Sequence, residues 1–141
     1  MDIFFYLYLL AIAINDWQTM YFSKWWILPS LVMIGCFFPV DLVSSGMGLG
    51  LFGGIGWLLY RIHPDWIGTA DVAFLAYFGF LLGYERMSIA LFTGIGIGLI
   101  LAYVRNLKMI PFLTCLSLGC WLAWQHGYGL FYAMLGRIWI R

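Results

Sequence analysis

Charged residues are unusually rare in this sequence. Only 9% of its 141 residues are Asp, Glu, Lys or Arg, whereas 65% are apolar and 21% are aromatic. Soluble domains carry about 25% charged residues, because their exterior must be covered by polar groups. The composition therefore excludes an ordinary water-soluble fold and predicts a protein that lies almost entirely within a lipid bilayer.

Cysteine and basic clusters are also scarce. The three cysteines, Cys36, Cys115 and Cys120, lie in apolar stretches, with no C-x-x-C pair and no histidine at zinc spacing. Neither a disulfide framework nor a metal site is predicted, and no cofactor is expected. The net charge is +1 and the charges are scattered singly, so nucleic acid is not an expected partner.

Long apolar runs fill most of the chain, and membrane lipids are the expected surroundings. A helix needs about 20 apolar residues to cross the hydrocarbon core, and polar residues divide the chain into segments of about that length. The N-terminal segment lacks the basic start and the cleavage site of a signal peptide, so we expect a retained span. The predicted fold is an all-α, polytopic membrane helix bundle. It forms a single membrane-embedded domain over residues 1–141, with about six transmembrane helices and short loops, at 2–16, 26–43, 46–62, 70–84, 87–104 and 109–125.

The basic residues predict the orientation of these spans. Lys24, Arg61, Arg105 and Lys108 fall in the first, third and fifth connections, against Arg86 alone in the others. Since short cytoplasmic loops are enriched in Lys and Arg, the odd-numbered loops are expected in the cytoplasm. The basic residues of the C-terminal tail, which is expected to lie in the interface, count against this orientation.

Glycines crowd the third and fifth predicted spans. Gly50 and Gly54, like Gly94 and Gly98, have the four-residue spacing that lets helix backbones approach closely in lipid. Packing within one chain is the first interpretation of this pattern. A homodimer formed through the glycine-rich helices is the second.

Two acidic residues lie at membrane depth, where an ionisable group has a high free-energy cost. Asp16 ends the first predicted span and Asp71 opens the fourth, so both are expected at the cytoplasmic edge of the membrane. An ionisable group at membrane depth indicates a functional site. Two close carboxylates can share one proton, an arrangement that suits aspartic proteolysis. An Asp at a helix end is also commonly a cap, and this alternative stays open at the level of spacing.

The residues around these acids resemble a known family. The stretch DWQTMYFSKWWILP, from Asp16 to Pro29, is similar to the D-L-R-x-x-x-I-P-N-x-L block of type IV prepilin peptidases. The stretch GTADV, from Gly68 to Val72, resembles their G-x-G-D-V-K block. A third stretch, IPFLTCLSLG from Ile110 to Gly119, is similar to their late I-P-F-x-P-F-L-A-L-G pattern.

The resemblance implies an enzyme and its site. Asp16 and Asp71 would be the catalytic pair of an aspartic endopeptidase in a bacterial or archaeal cytoplasmic membrane. The enzyme would cut the short basic leader from prepilin-like precursors at the cytoplasmic face. Gly68, Thr69, Ala70 and Lys24 would line the active-site loops or bind substrate. The zinc-binding N-terminal region of the larger relatives, associated with methylation, has no match here, so peptidase activity without methylation is expected.

Several residues depart from the family pattern and keep other functions open. Ser23 and Lys24 replace Pro-Asn, Ala70 replaces the second glycine, and Ala73 replaces a lysine that could bias the ionisation of the pair. One alternative is a non-catalytic membrane adaptor that binds pilin-like helices. A second is a small proton or cation transporter that uses the two acids as a relay. Against transport, the spans carry few polar residues and show no inverted repeat.

Overall fold

The computed structural model describes residues 2–19, 23–29, 31–32, 41–65, 67–106 and 110–139, with no side-chain placement for residues 2, 24, 138 and 139. Within these ranges the chain is helical and contains no β-strand, which confirms the predicted all-α class. Half of the predicted span 26–43, residues 30 and 33–40, falls outside the described residues, whereas residues 27–29 and 31–32 at its start are helical.

Four long helices make up the described fold. A short 3-10 turn, Lys24–Trp26, follows the first of them. The second contains a π-helical segment, Leu49–Gly53, and the third is interrupted at Gly83. The helices are α1 Asp2–Thr19, α2 Leu42–Ile62, α3 Thr69–Arg105 and α4 Phe112–Trp139.

Two of these helices can cross a membrane. By length and hydropathy, α2 and α3 qualify among the described residues, so the predicted count of six spans is not confirmed. The exterior of the bundle is apolar, because large side chains on every long helix point outward. Phe92, Leu99 and Tyr103 of α3 are 74%, 62% and 86% exposed, and Leu42 of α2 is 76% exposed. Apolar surface on this scale fits contact with lipid rather than with water.

The chain reverses direction within α3. Gly83 has φ 74° and ψ 169°, a backbone conformation that favours glycine and interrupts the helix. At the N-terminal end of α3, Asp71 interacts electrostatically with Asp16 of α1. At its C-terminal end, the Arg105 guanidinium lies 5.9 Å from the ring centre of Trp17, the next residue of α1. Both ends of α3 therefore lie beside the same end of α1, and α3 forms a hairpin of two limbs, residues 69–82 and 84–105.

Close backbone contacts at glycine residues determine how α2 packs against the first limb of α3. Gly48 of α2 lies directly against Gly79, so closely that a Cβ on Gly48 would overlap the Gly79 carbonyl oxygen. Further along the same two helices, Gly53 faces Ala76 and Gly56 faces Leu75. The two helices are therefore antiparallel and in close contact over several turns.

The second limb of α3 packs against α4 in the same way. Gly94 faces the backbone of Cys115 and Leu116, and Gly98 faces Ile110, just before α4 begins. The pair Gly94 and Gly98 thus packs within the chain. Gly50 and Gly54 of α2 differ, because nothing within 4 Å would meet a Cβ at either position. Their four-residue spacing contributes no packing among the described residues.

Two sequence-based expectations about the other end of the bundle are wrong. The polar stretch 126–129 follows the predicted span 109–125, where the C-terminal tail was expected to begin, but α4 continues through it to Trp139 as one helix. Glu85 lies between the predicted spans 70–84 and 87–104, where a solvated loop is expected, but it is only 8% exposed. Its Oε2 accepts a hydrogen bond of 2.6 Å from the Ser44 hydroxyl, which supplies the polar partner that a buried carboxylate needs.

The backbone contact between α2 and α3 gives a stability prediction. Gly48→Ala forces two helices apart, so we expect a loss of about 1 to 3 kcal/mol and a lower thermal midpoint in detergent. Gly46→Ala is the matched control, since it lies in the same helical segment and a Cβ there meets nothing within 4 Å. That control is expected to be neutral or to gain up to about 1 kcal/mol of helix propensity. Equal midpoints for the two variants would contradict the described packing.

Candidate active site

Asp16 lies at the C-terminal end of α1 and is almost fully buried, with 6% exposure. Its Oδ2 accepts two hydrogen bonds from Thr114 of α4. The Thr114 backbone N–H donates at 2.8 Å, and the Thr114 Oγ1 lies 3.1 Å away. Both bonds reach the same oxygen, and no described residue donates to Oδ1. One oxygen of Asp16 is therefore anchored, and the other has no donor among the residues that the structure describes.

The start of α4 explains why a carboxylate is held there. Thr114 is the third residue of this helix, and N–H groups in the first turn of a helix have no carbonyl partner within the helix. Asp16 accepts one of these N–H bonds from outside the helix, at the end where the helix dipole stabilises a negative charge. The buried carboxylate thereby gains the hydrogen bonds that offset its loss of solvation.

Asp71 lies in the first turn of α3 and is anchored in a similar way. Its Oδ2 accepts a 2.9 Å hydrogen bond from the backbone N–H of Gly68, the residue that precedes the helix. A Cβ on Gly68 would lie 3.3 Å from this oxygen, so a side chain at that position would crowd the carboxylate. No described residue donates a hydrogen bond to Asp71 Oδ1. The side chain is half-buried, so its free oxygen can meet solvent more readily than that of Asp16.

The fold brings the two acids together although 55 residues separate them in the sequence. Asp16 and Asp71 are close enough for their carboxylates to repel each other. Each has one oxygen fixed on a backbone N–H and one without a donor among the described residues. Both carboxylates belong to one site, at the end of the bundle that also holds Arg105 and Trp17.

The other sequence-predicted site residues surround Asp71 to different degrees. Gly68 and Thr69 are exposed, and Ala70 is partly buried against the core. Ala70 lies within the regular helix, so the backbone at this position does not require the glycine of the family pattern. Lys24 begins the 3-10 turn after α1, but its side chain lies outside the described part of the chain.

Aromatic residues fix the loop that follows α1. The Tyr8 hydroxyl donates a 2.8 Å hydrogen bond to the carbonyl oxygen of Trp26, which ties the 3-10 turn back to α1. Trp17 extends outward from the residue after Asp16 and is 41% exposed. With Arg105 stacked on it, Trp17 forms an aromatic and basic rim beside the buried carboxylate.

Thr114 was missed by sequence reasoning, although it lies in the third stretch that resembles the family. It is 98 residues from Asp16, and no local pattern links a threonine to an acid at that separation. The described residues contain no group of three or more His, Cys, Asp or Glu side chains that could hold a metal ion. Among the described residues, the site offers two carboxylates with backbone and hydroxyl donors.

Comparison with known protein families gives a match that covers most of the chain. No curated protein and no solved structure matches the chain. The sequence model of the type IV leader peptidase family matches residues 3–103, a segment that contains both Asp16 and Asp71. The match covers well over half of the chain and confirms the resemblance seen in the sequence. The chain belongs to the type IV leader peptidase family, a family of peptidases.

Proposed function

We propose that this protein is a membrane aspartic endopeptidase that removes the short basic leader from type IV prepilin-like precursors. Asp16 and Asp71 are its catalytic pair, and an activated water molecule is the nucleophile. The reaction is hydrolysis of a peptide bond, and it needs no metal or cofactor. Family membership supports a leader peptidase. The arrangement of the two carboxylates supports the aspartic mechanism.

The observation that carries the proposal is the pairing of the two carboxylates. Each acid is tied by one oxygen to a backbone N–H and keeps the other oxygen without a donor among the described residues. The two carboxylates repel each other, and a pair of carboxylates at close range can share a single proton, with one member ionised and the other protonated. A water molecule between the free oxygens would contact both a base and an acid.

The chemistry then follows in two steps. The ionised carboxylate removes a proton from the water molecule, and the water oxygen attacks the carbonyl carbon of the scissile amide. The protonated carboxylate donates a hydrogen bond to the carbonyl oxygen and stabilises the tetrahedral intermediate. The carboxylate that took the proton from water then passes it to the amide nitrogen, so that the C–N bond breaks and the two peptides are released. The other carboxylate keeps its proton, and the pair ends the cycle with the single shared proton with which it began.

The loops beside Asp71 are suited to substrate entry. Gly68 and Thr69 are exposed next to the catalytic pair, and Ala70, the next residue, is partly buried behind them. Gly68 leaves the approach to Asp71 open, because it has no side chain to crowd Oδ2. The proposal assigns these three residues, with Lys24 of the loop after α1, to contact with the precursor.

The apolar exterior supports a multi-pass location in the cytoplasmic membrane of a bacterium or archaeon. The site lies at the end of the bundle that holds Arg105, and the excess of basic residues in the connections on that side favours a cytoplasmic position. There the enzyme would meet leaders before their apolar helices leave the membrane. No described residue would meet a Cβ at Gly50 or Gly54, which would leave room for a second copy to approach α2 as a homodimer.

The catalytic pair can be tested by removing each ionisable group in turn. We expect Asp16→Asn and Asp71→Asn each to lower leader removal by about 10³-fold or more, because the remaining acid has no partner with which to share a proton. The double variant is expected to be no slower than either single variant, because the two residues act as one unit. Co-expression with a pilin-like precursor and a gel shift of the cleaved product would measure the effect.

Asp65→Asn is the matched control for this experiment. Asp65 is exposed and lies in the turn between α2 and α3, so its neutralisation should leave cleavage unchanged. Normal processing by Asp71→Asn would contradict the mechanism. Binding of the precursor by the unmodified protein without any cleavage would instead favour the non-catalytic adaptor.

The sidedness of the site gives an independent prediction. Arg105 and Arg137 are both exposed, and the helix α4 that separates them is about 40 Å long, more than the hydrocarbon core of a membrane. In a background without native cysteines, a cysteine at Arg105 should react with a membrane-impermeant thiol reagent only from the cytoplasm. A cysteine at Arg137 should react only from outside. The opposite pattern would refute a cytoplasmic active site.

A further inference from the structure

The hydroxyl of Thr114 has two acceptors and a single hydrogen. Thr114 Oγ1 lies 3.1 Å from Asp16 Oδ2 and 3.0 Å from the backbone carbonyl oxygen of Ala13. Ala13 lies one turn before Asp16 in α1, and its carbonyl also has a partner within the helix. The hydroxyl can therefore donate to one oxygen while it accepts from or merely contacts the other.

The protonation state of Asp16 decides which bond the hydroxyl makes. When Asp16 is ionised, the hydroxyl can donate to Oδ2, and with the backbone N–H the carboxylate then receives two hydrogen bonds. When Oδ2 carries a proton, it can donate to Thr114 Oγ1, and the hydroxyl hydrogen turns to Ala13. A threonine at this position thus satisfies Asp16 in both states through which a catalytic carboxylate passes.

The number of donors distinguishes the two acids. Two donors of Thr114 reach Asp16 Oδ2, whereas a single one, the Gly68 N–H, reaches Asp71 Oδ2 among the described residues. Hydrogen bonds to the charged form stabilise that form. The ionised state is therefore better supported on Asp16, and the shared proton is better placed on Asp71.

We propose that Thr114 is a positioning residue that holds Asp16 as the ionised, water-activating member of the catalytic pair. The inference rests on the proposed peptidase function and assigns unequal roles to its two acids. Asp16 removes the proton from water through Oδ1, to which no described residue donates, and Asp71 donates its proton toward the substrate carbonyl. Thr114 takes no part in bond making and acts only through Asp16.

Thr114 also stands where the family pattern differs. In the pattern I-P-F-x-P-F-L-A-L-G, the fifth place is proline, and this chain has Thr114 there. Proline has neither a backbone N–H nor a hydroxyl, so it could supply neither of the two donors. This chain also lacks the patterned lysine after the second acid, having Ala73 instead. The two hydrogen-bond donors of Thr114 can take the place of the positive charge of that lysine, which would stabilise an ionised carboxylate of the pair.

The test removes the hydroxyl and follows cleavage as a function of pH. Thr114→Val keeps the size and the backbone N–H, so we expect kcat/KM at neutral pH to fall about 10- to 100-fold through loss of a hydrogen bond to a charged group. The acidic limb of the pH profile should move to higher pH by about one unit, because the ionised form has lost a donor. Thr114→Ser, which keeps the hydroxyl, should restore both the rate and the profile.

The other groups near Asp16 must be kept constant in this comparison. Asp71 of α3 and Cys115 of α4 both interact electrostatically with Asp16, and Arg105 stacks on the neighbouring Trp17. The matched control is Thr93→Val. The Thr93 hydroxyl bonds only to carbonyl oxygens of its own helix, at Ile89 and Ala90, so its loss should leave the profile unchanged.

The outcomes separate this inference from the proposed function. If Thr114→Val cleaves with the rate and pH profile of the unmodified protein while Asp16→Asn and Asp71→Asn are inactive, only the role of Thr114 is refuted. If the Asp variants are active, the proposed function itself fails. Thr114→Ala provides a second hydroxyl-free variant. Loss of both hydroxyl-free variants from the membrane, with Thr114→Ser normal, would show a structural role and overturn the inference.

Discussion

The reversal of α3 at Gly83 is the constraint on which the candidate site depends. As one straight helix, α3 would be about 55 Å long and its ends would lie on opposite sides of a bilayer. The left-handed conformation of Gly83 folds the helix into two limbs, so that Asp71 at one end and Arg105 at the other both lie beside the end of α1. The approach of Asp16 to Asp71 therefore requires a turn at the far end of the bundle.

That far end has a polar arrangement of its own. The Ser44 hydroxyl bonds to the buried carboxylate of Glu85, two residues after the turn, and so joins α2 to α3. The adjacent Arg86 guanidinium lies 5.0 Å from the ring centre of Trp124 and 4.2 Å from that of Tyr128, so cation–π contacts join α3 to α4. In an apolar setting the bond between Ser44 and Glu85 is specific, because a wrong partner would leave the buried carboxylate unsatisfied.

The sequence predicted the acids that are costly to place in a membrane more readily than the helix faces that pack together. Asp16 and Asp71 were found because acids at membrane depth are costly, and the fold places them together.

The helix faces were harder to predict. Gly50 and Gly54 had the expected spacing but meet no neighbour within the described part of the chain, whereas Gly48 makes the backbone contact. A helix that is apolar all round has no polar face from which its packed side could be deduced. The hydrogen bonds of Thr114 and Ser44 could not be predicted for another reason. Their partners are distant in sequence, and only the folded chain brings them together.

The contact between Gly48 and Gly79 also bears on how the protein responds to its lipid surroundings. Side chains can change rotamer when neighbouring helices shift, but two glycine backbones in contact have no rotamers to change. The pair formed by α2 and the first limb of α3 therefore behaves as one stiff body. A thinner or thicker bilayer can be accommodated by tilting this body as a whole. Asp71 is carried on this body, whereas Asp16 lies on α1 and is bonded to Thr114 of α4, so a tilt of the body relative to α1 and α4 would change the separation of the two acids.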